Sequence, residues 1–180
     1  AALTYGAYTA LIYATGIFGG FIADRYIGYR RAIVIGGLLM AGGLFLLLIR
    51  DLQWFLLGLS LIVAGNGLFK PNISTMVGRL YAPDDVRRDS GFTIFYMGIN
   101  AGGALAPLIC GTLIGARYGY EWGFFTAGIG MLLTLVLGAV AALAVFPGIS
   151  LFEAGILSAI LAPTDAGLGQ IIVNSPLVPM

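Results

Sequence analysis

The sequence predicts an all-α integral membrane protein with five spanning helices. Three observations carry this. Apolar residues make up 59% of the 180 positions and charged residues only 9%, with a mean hydropathy of +0.99, a balance foreign to soluble domains of this size. The apolar residues gather into stretches of about 20, the length an α-helix needs to cross a bilayer core. Most charges lie in short clusters between those stretches. The net charge of +1 says nothing about partners; the placement of charge says more.

The first predicted span covers 3–22 and ends in a charged turn at 23–31. The second covers 32–49, and Arg50-Asp51 marks a tight turn. Trp54 then sits where interfacial aromatics are enriched. The third span, 54–77, is followed by a polar loop at 82–89. The fourth covers 91–115, a short polar and aromatic loop follows at 117–122, and the fifth covers 123–146. The loop at 23–31 holds Arg25, Arg30 and Arg31, and that at 79–89 holds Arg79, Arg87 and Arg88. The alternate loops hold one arginine each, Arg50 and Arg117. The positive-inside rule therefore places the first pair of loops in the cytoplasm, for a multi-pass protein of the cytoplasmic (inner) membrane.

Lys70 is the most informative residue. It lies inside an apolar run, and a charge at mid-membrane depth costs roughly 2.5–3.5 kcal/mol, so it normally faces a polar cavity or a partner. No acid in the five spans sits at matching depth, so an ion-pair partner would have to come from outside this chain. Pro71 follows directly. It removes a backbone donor and crowds the carbonyl of Gly67, which predicts a bend. Three stripes support a polar site. Gly6, Thr9, Tyr13, Gly16 and Gly20 share a face of the first helix. Asn66 and Lys70 are four apart on the third, and Phe92, Tyr96, Asn100 and Gly103 line up on the fourth. The plainer readings are helix packing through the glycines, and single interhelical hydrogen bonds from Tyr13 and Asn100.

Other chemistry is largely excluded. The chain has no histidine and one cysteine, Cys110, which reads as a small core residue. No nucleophile–base–orienter set can be assembled. An enzyme, a cofactor and a nucleic-acid partner are not expected. The chain starts at Ala1 inside an apolar stretch, without a basic leader, and so reads as a fragment.

Four blocks carry a family resemblance: Gly19-Gly-Phe-Ile-Ala-Asp-Arg-Tyr-Ile-Gly28, Phe69-Lys-Pro-Asn72, Asp85-Val-Arg-Arg-Asp-Ser-Gly-Phe92, and Phe95-Tyr-Met-Gly-Ile-Asn-Ala-Gly-Gly103. In this order and spacing, residues 1–146 resemble the proton-dependent oligopeptide transporter family of the major facilitator superfamily. The resemblance implies helices two to six of the N-terminal six-helix half of that fold. It implies proton-coupled symport of di- and tripeptides, with the bilayer, small peptides and protons as partners and with helix one and the C-terminal half missing. It assigns substrate and proton binding to Tyr13, Lys70 and Asn100. The lysine's acidic partners in the family lie in a Glu-x-x-Glu-Arg motif on helix one. The resemblance assigns signature or gating roles to Gly20, Asp24, Arg25, Gly28, Arg30, Arg31, Asn66, Pro71, Asn72 and Tyr96. Burial disfavours a charged ammonium and a nearby carboxylate restores it, so one lysine can couple substrate and proton occupancy.

The tail reads differently. Pro147-Gly148 breaks the fifth helix, a short extra hydrophobic helix is predicted at 149–163, and Pro163-Thr-Asp165 breaks it in turn. Residues 152–166 resemble a piece of the cation/proton antiporter family of sodium–proton exchangers. There a Thr-Asp pair lies near the ion site, which makes Asp165 a candidate cation ligand beside Thr164. Residues 1–146 are expected to be a partial transporter bundle and 147–180 an appended antiporter-like tail. The alternatives to a peptide symporter are an antiporter fragment and a non-transporting membrane helix fragment.

Overall fold

The structure is a computed structural model and describes residues 2–145. The predicted tail, with its short helix, Thr164 and Asp165, lies outside the described residues. Among the described residues six α-helices run in order: α1 (Ala2–Ile22), α2 (Tyr29–Leu46), α3 (Leu52–Arg79), α4 (Arg87–Ala106), α5 (Ala116–Tyr118) and α6 (Tyr120–Val145). Wider π-helical turns extend α1 through Ala23–Ile27 and α4 through Pro107–Gly115. Among the described residues four segments are long and apolar enough to cross a membrane: Gly6–Ile27, Tyr29–Leu46, Leu52–Arg79 and Arg87–Tyr118. The fifth expected span falls on α6, 26 residues long, which is not among these four. The chain is an all-helical, multi-pass membrane protein.

Local chemistry sets the helix ends. Gly28 takes φ +78°, open to a residue without Cβ, and donates its N–H to the Ala23 carbonyl at 2.9 Å. Asp51 caps α3, accepting from the amides of Gln53 at 2.9 Å and Trp54 at 3.3 Å. Gly119, at φ +112°, turns the chain into α6.

The core lies between α2 and α3, where two glycine pairs let the backbones touch. A Cβ on Gly36 would sit 2.6 Å from the Gly65 carbonyl oxygen, and one on Gly43 would sit 2.6 Å from that of Gly58. The pairs are seven residues apart on both helices, about 10.5 Å of rise, so they mark one continuous antiparallel seam. Ile33, Met40, Leu44, Phe55, Ile62 and Phe69 fill the space around it. On α6, Phe124 and Met131 close this core. Phe125 meets Phe45 edge-on at 6.2 Å between ring centroids, and Gly128 makes room for the Phe45 ring.

The expected packing role of the α1 glycines is corrected. Nothing lies near Gly6 or Gly16, and Gly20 has only the Pro71 ring, 3.9 Å from where its Cβ would be. The packed face of α1 is instead Tyr8, Ile12, Thr15, Gly19 and Ala23. A Cβ on Gly19 would collide with the Gly67 carbonyl, so this face brings backbone to backbone. The glycine with a backbone partner decides the face; glycines with none leave it open.

At Pro71, where a bend is expected, α3 continues as one helix from Leu52 to Arg79. Side chains supply extra bonds around the proline. Asn72 donates to the Leu68 carbonyl at 2.6 Å, and Thr75 to the Pro71 carbonyl at 3.0 Å. The Gly67 carbonyl, which Pro71 cannot serve, packs against Gly19.

Contacts at the two ends agree with the arginine pattern. Arg79 bonds Tyr29 at 3.1 Å, so the 23–31 turn and the end of α3 share one end of the bundle. At the other end of α2, Arg50 pairs with Glu121 at the start of α6. The helix α4 stands apart, with Gly102 its sole buried residue among those described.

Candidate functional site

The site begins on the open face of α1 and α3. The Lys70 ammonium lies over the Tyr13 ring, 5.3 Å from its centroid, within the range of a cation–π attraction. Both side chains are exposed within this chain, Tyr13 at 68%. The two helices run in the same direction, and side chains lean toward the helix N-terminus. Lys70 therefore reaches back along α3 toward the level of Tyr13.

Asn100, the third expected member, is exposed on α4 and donates its amide to the Tyr96 carbonyl at 2.8 Å, along its own helix. Tyr96 stacks on Phe92 at 6.5 Å and tilts against Phe95 at 5.6 Å, which makes an aromatic ladder one turn below Asn100. The structure thus brings Tyr13 to Lys70 and places Asn100 on a helix that packs little against α3 within this chain.

Two asparagines of α3 are buried to within 1% exposure. Asn66 lies one turn before Lys70 on neighbouring sides of α3, but it is buried where Lys70 is exposed. Asn72 lies two residues after Lys70 and donates to the Gly19 carbonyl of α1 at 3.3 Å, as well as to Leu68. Sequence reading missed its neighbour in this role, Thr15. The Thr15 hydroxyl lies 2.8 Å from the Leu11 carbonyl, 3.2 Å from that of Ile12, and 3.2 Å from that of Val63 on α3. Threonine four residues from a glycine on an apolar helix was the available signal.

A second cluster closes one end. Asp24 and Arg25 lie in the wide turn after α1, Gly28 ends it, and Arg30 and Arg31 open α2, all three arginines exposed. Tyr29 links this signature to α3. Its hydroxyl bonds Asp24 and accepts from Arg79, whose guanidinium also lies 4.3 Å from the ring centroid. Tyr29 carried no sequence signal, and Arg79 was legible only as a loop charge. In the loop beyond, Arg87 grips Asp85 with its side chain at 2.8 and 3.0 Å and with its backbone N–H at 2.9 Å. These bonds hold the Asp85 carboxyl below the usual carboxylate range. Among the described residues no group of three His, Cys, Asp or Glu could hold a metal.

Comparison with known proteins gives one direction. The family model described as "POT family" matches residues 30–142. The uncharacterised transporter YclF of Bacillus subtilis is 49% identical over 133 residues, 73% of this chain and 27% of the relative. A di-/tripeptide transporter of Lactococcus lactis subsp. lactis is 48% identical over 129 residues, 71% of this chain and 26% of the relative. The crystal structure of a peptide transporter POT variant in complex with alafosfalin superposes with a TM-score of 0.71 at 43% identity. That likeness covers 89% of this chain and 30% of the solved one. The chain therefore spans about a quarter of the length of the curated relatives it matches.

Proposed function

The chain belongs to the POT family, and on that premise we propose that it serves proton-coupled symport of di- and tripeptides across the cytoplasmic membrane. The Tyr13–Lys70 contact carries this reading. A lysine ammonium on a membrane helix suits the carboxylate of a short peptide, and an aromatic face beside it suits the peptide's apolar side chain. Asn100 would add hydrogen bonds to the backbone amide once α4 closes on α1 and α3. In this reading Asp24, Arg25, Gly28, Arg30 and Arg31 belong to the gate at the cytoplasmic end, with Asn66, Pro71 and Asn72 shaping α3 beneath the site. The peptide-transporting relatives support the substrate class. We further propose that residues 1–146 act as part of a larger helical bundle, with 147–180 a separate tail. Transport follows from rocking one bundle against another around a fixed site.

A graft tests this. Residues 1–145 replace the matching segment of the Lactococcus relative, and uptake of a labelled dipeptide is followed in proteoliposomes. Uptake that a protonophore abolishes supports the reading. A folded, membrane-inserted graft that accumulates no dipeptide under a proton gradient rejects it.

A further inference from the structure

We propose that Thr15 and Asn72 are positioning residues that lock the rotation of α1 on α3 and so hold the Tyr13 ring beneath the Lys70 ammonium. The link to transport rests on the function proposed above; the lock itself rests on geometry. Where Gly19 meets Gly67 the helices touch along bare backbone, and a Cβ on Gly67 would lie 2.8 Å from both Cβ and O of Thr15. Such a contact fixes distance but not angle, because two glycine surfaces slide and rotate on each other without a steric key. The polar bonds supply the key. Thr15 on α1 reaches the Val63 carbonyl of α3 at 3.2 Å, sharing its one hydroxyl proton with the Leu11 carbonyl at 2.8 Å, and Asn72 on α3 reaches the Gly19 carbonyl of α1 at 3.3 Å.

These two bonds run in opposite directions between the helices. They also bracket the glycine contact, since Val63 precedes Gly67 by one turn and Asn72 follows it by more than one. A rotation of α1 by one residue, about 100°, would break both bonds together. It would also swing Tyr13, two residues before Thr15, out from under Lys70, two residues before Asn72. Asn72 has two amide hydrogens. One goes to Leu68 at 2.6 Å and serves α3 alone; the other serves the crossing. Bonds of this kind between membrane helices bias an angle without fixing the fold.

The test exploits composition: Lys70 is the sole lysine in the 180 residues. Reductive ¹³C-methylation of the full chain in lipid nanodiscs labels Lys70 and the terminal amine alone. The methyl resonance of Lys70 carries a ring-current shift from Tyr13, measured as its difference from Tyr13→Leu. Asn72→Ala and Thr15→Val should each reduce that difference, and Thr15→Ser, which keeps the hydroxyl, should retain it. Asn72→Ser can still reach Leu68 but not Gly19, so it should behave as Asn72→Ala. The full Tyr13-dependent shift in Asn72→Ala or in Thr15→Val would overturn the proposal, as would its recovery in Asn72→Ser. Thr15→Val is nearly isosteric and decides the matter if Asn72→Ala does not fold.

In the graft, Asn72→Ala should raise KM for dipeptide more than it lowers turnover, and an unchanged KM would sever the lock from transport. An inactive unsubstituted graft would reject the proposed function while leaving the shift result standing.

Discussion

Lys70 and Tyr13 sit two residues away from the side chains that join their helices. At this scale the chemistry is that of one cation over one ring. In a functional graft, Lys70→Ala should abolish proton-driven dipeptide uptake; accumulation equal to the unsubstituted graft would remove the lysine from the coupling step. Asp85 offers a separate pH effect. Its folded carboxyl titrates below its ordinary 3.8, because Arg87 bonds the ionised form. The contribution of this clasp is therefore fully present above about pH 4 and is lost as pH falls through the lower folded value. Amide protection at the first turn of α4, taken relative to the intrinsic exchange rate at each pH, should fall on acidification in the natural chain. In Asp85→Asn the same amides should be less protected at neutral pH, with little further change in protection on acidification. Identical profiles for the two proteins would refute the clasp.

Among the elements, α2 and α3 are bound by their glycine seam. Gly65→Val should destabilise the bundle by about 1–3 kcal/mol, since its branches meet the Gly36 carbonyl and Met40 with no room to move. Gly6→Val should be nearly neutral, because open space surrounds that position. Thermal unfolding in detergent separates the two, and equal losses would show that α1 packs on its other glycine face. The α3 cap gives a smaller effect: Asp51→Ala should cost about 1 kcal/mol by leaving the Gln53 and Trp54 amides to solvent. An unfolding midpoint unchanged by Asp51→Ala would show that the cap is not felt.

At the scale of the whole molecule, the ends of the bundle carry the orientation. The Tyr29–Arg79 bond gathers the arginine-rich turns at one end, and the Arg50–Glu121 pair joins two turns at the other. Single cysteines at Asp51 and Asp85, in a Cys110→Ala background, should therefore react with an impermeant reagent from opposite sides of the membrane. Labelling of both from one side would refute the topology. The Arg50–Glu121 pair is largely exposed on its arginine side, 76%, so it should contribute no more than about 1 kcal/mol to stability.

Span existence, membrane residence and family were legible in the sequence because hydropathy, arginine placement and the four motif blocks are local in the chain. So was Lys70 as the residue to watch, since a charge in a greasy run costs free energy wherever it lies along the helix. The choice of face was not local. Gly6, Gly16 and Gly19 are chemically identical, and only the position of Gly67 on another helix selects Gly19 as the contact. The unbroken course of α3 through Pro71 was likewise hidden, because it coincides with bonds from Asn72 and Thr75 that periodicity does not reveal. Tyr29 shows the same limit: its tie to Asp24 is nearly local, but its tie to Arg79 spans 50 residues and exists only where α1, α2 and α3 end together. The sequence by itself determined which segments enter the membrane, because that depends on the transfer free energy of each segment alone. Tertiary structure decided which surfaces meet, because close approach depends on matching two backbones at once.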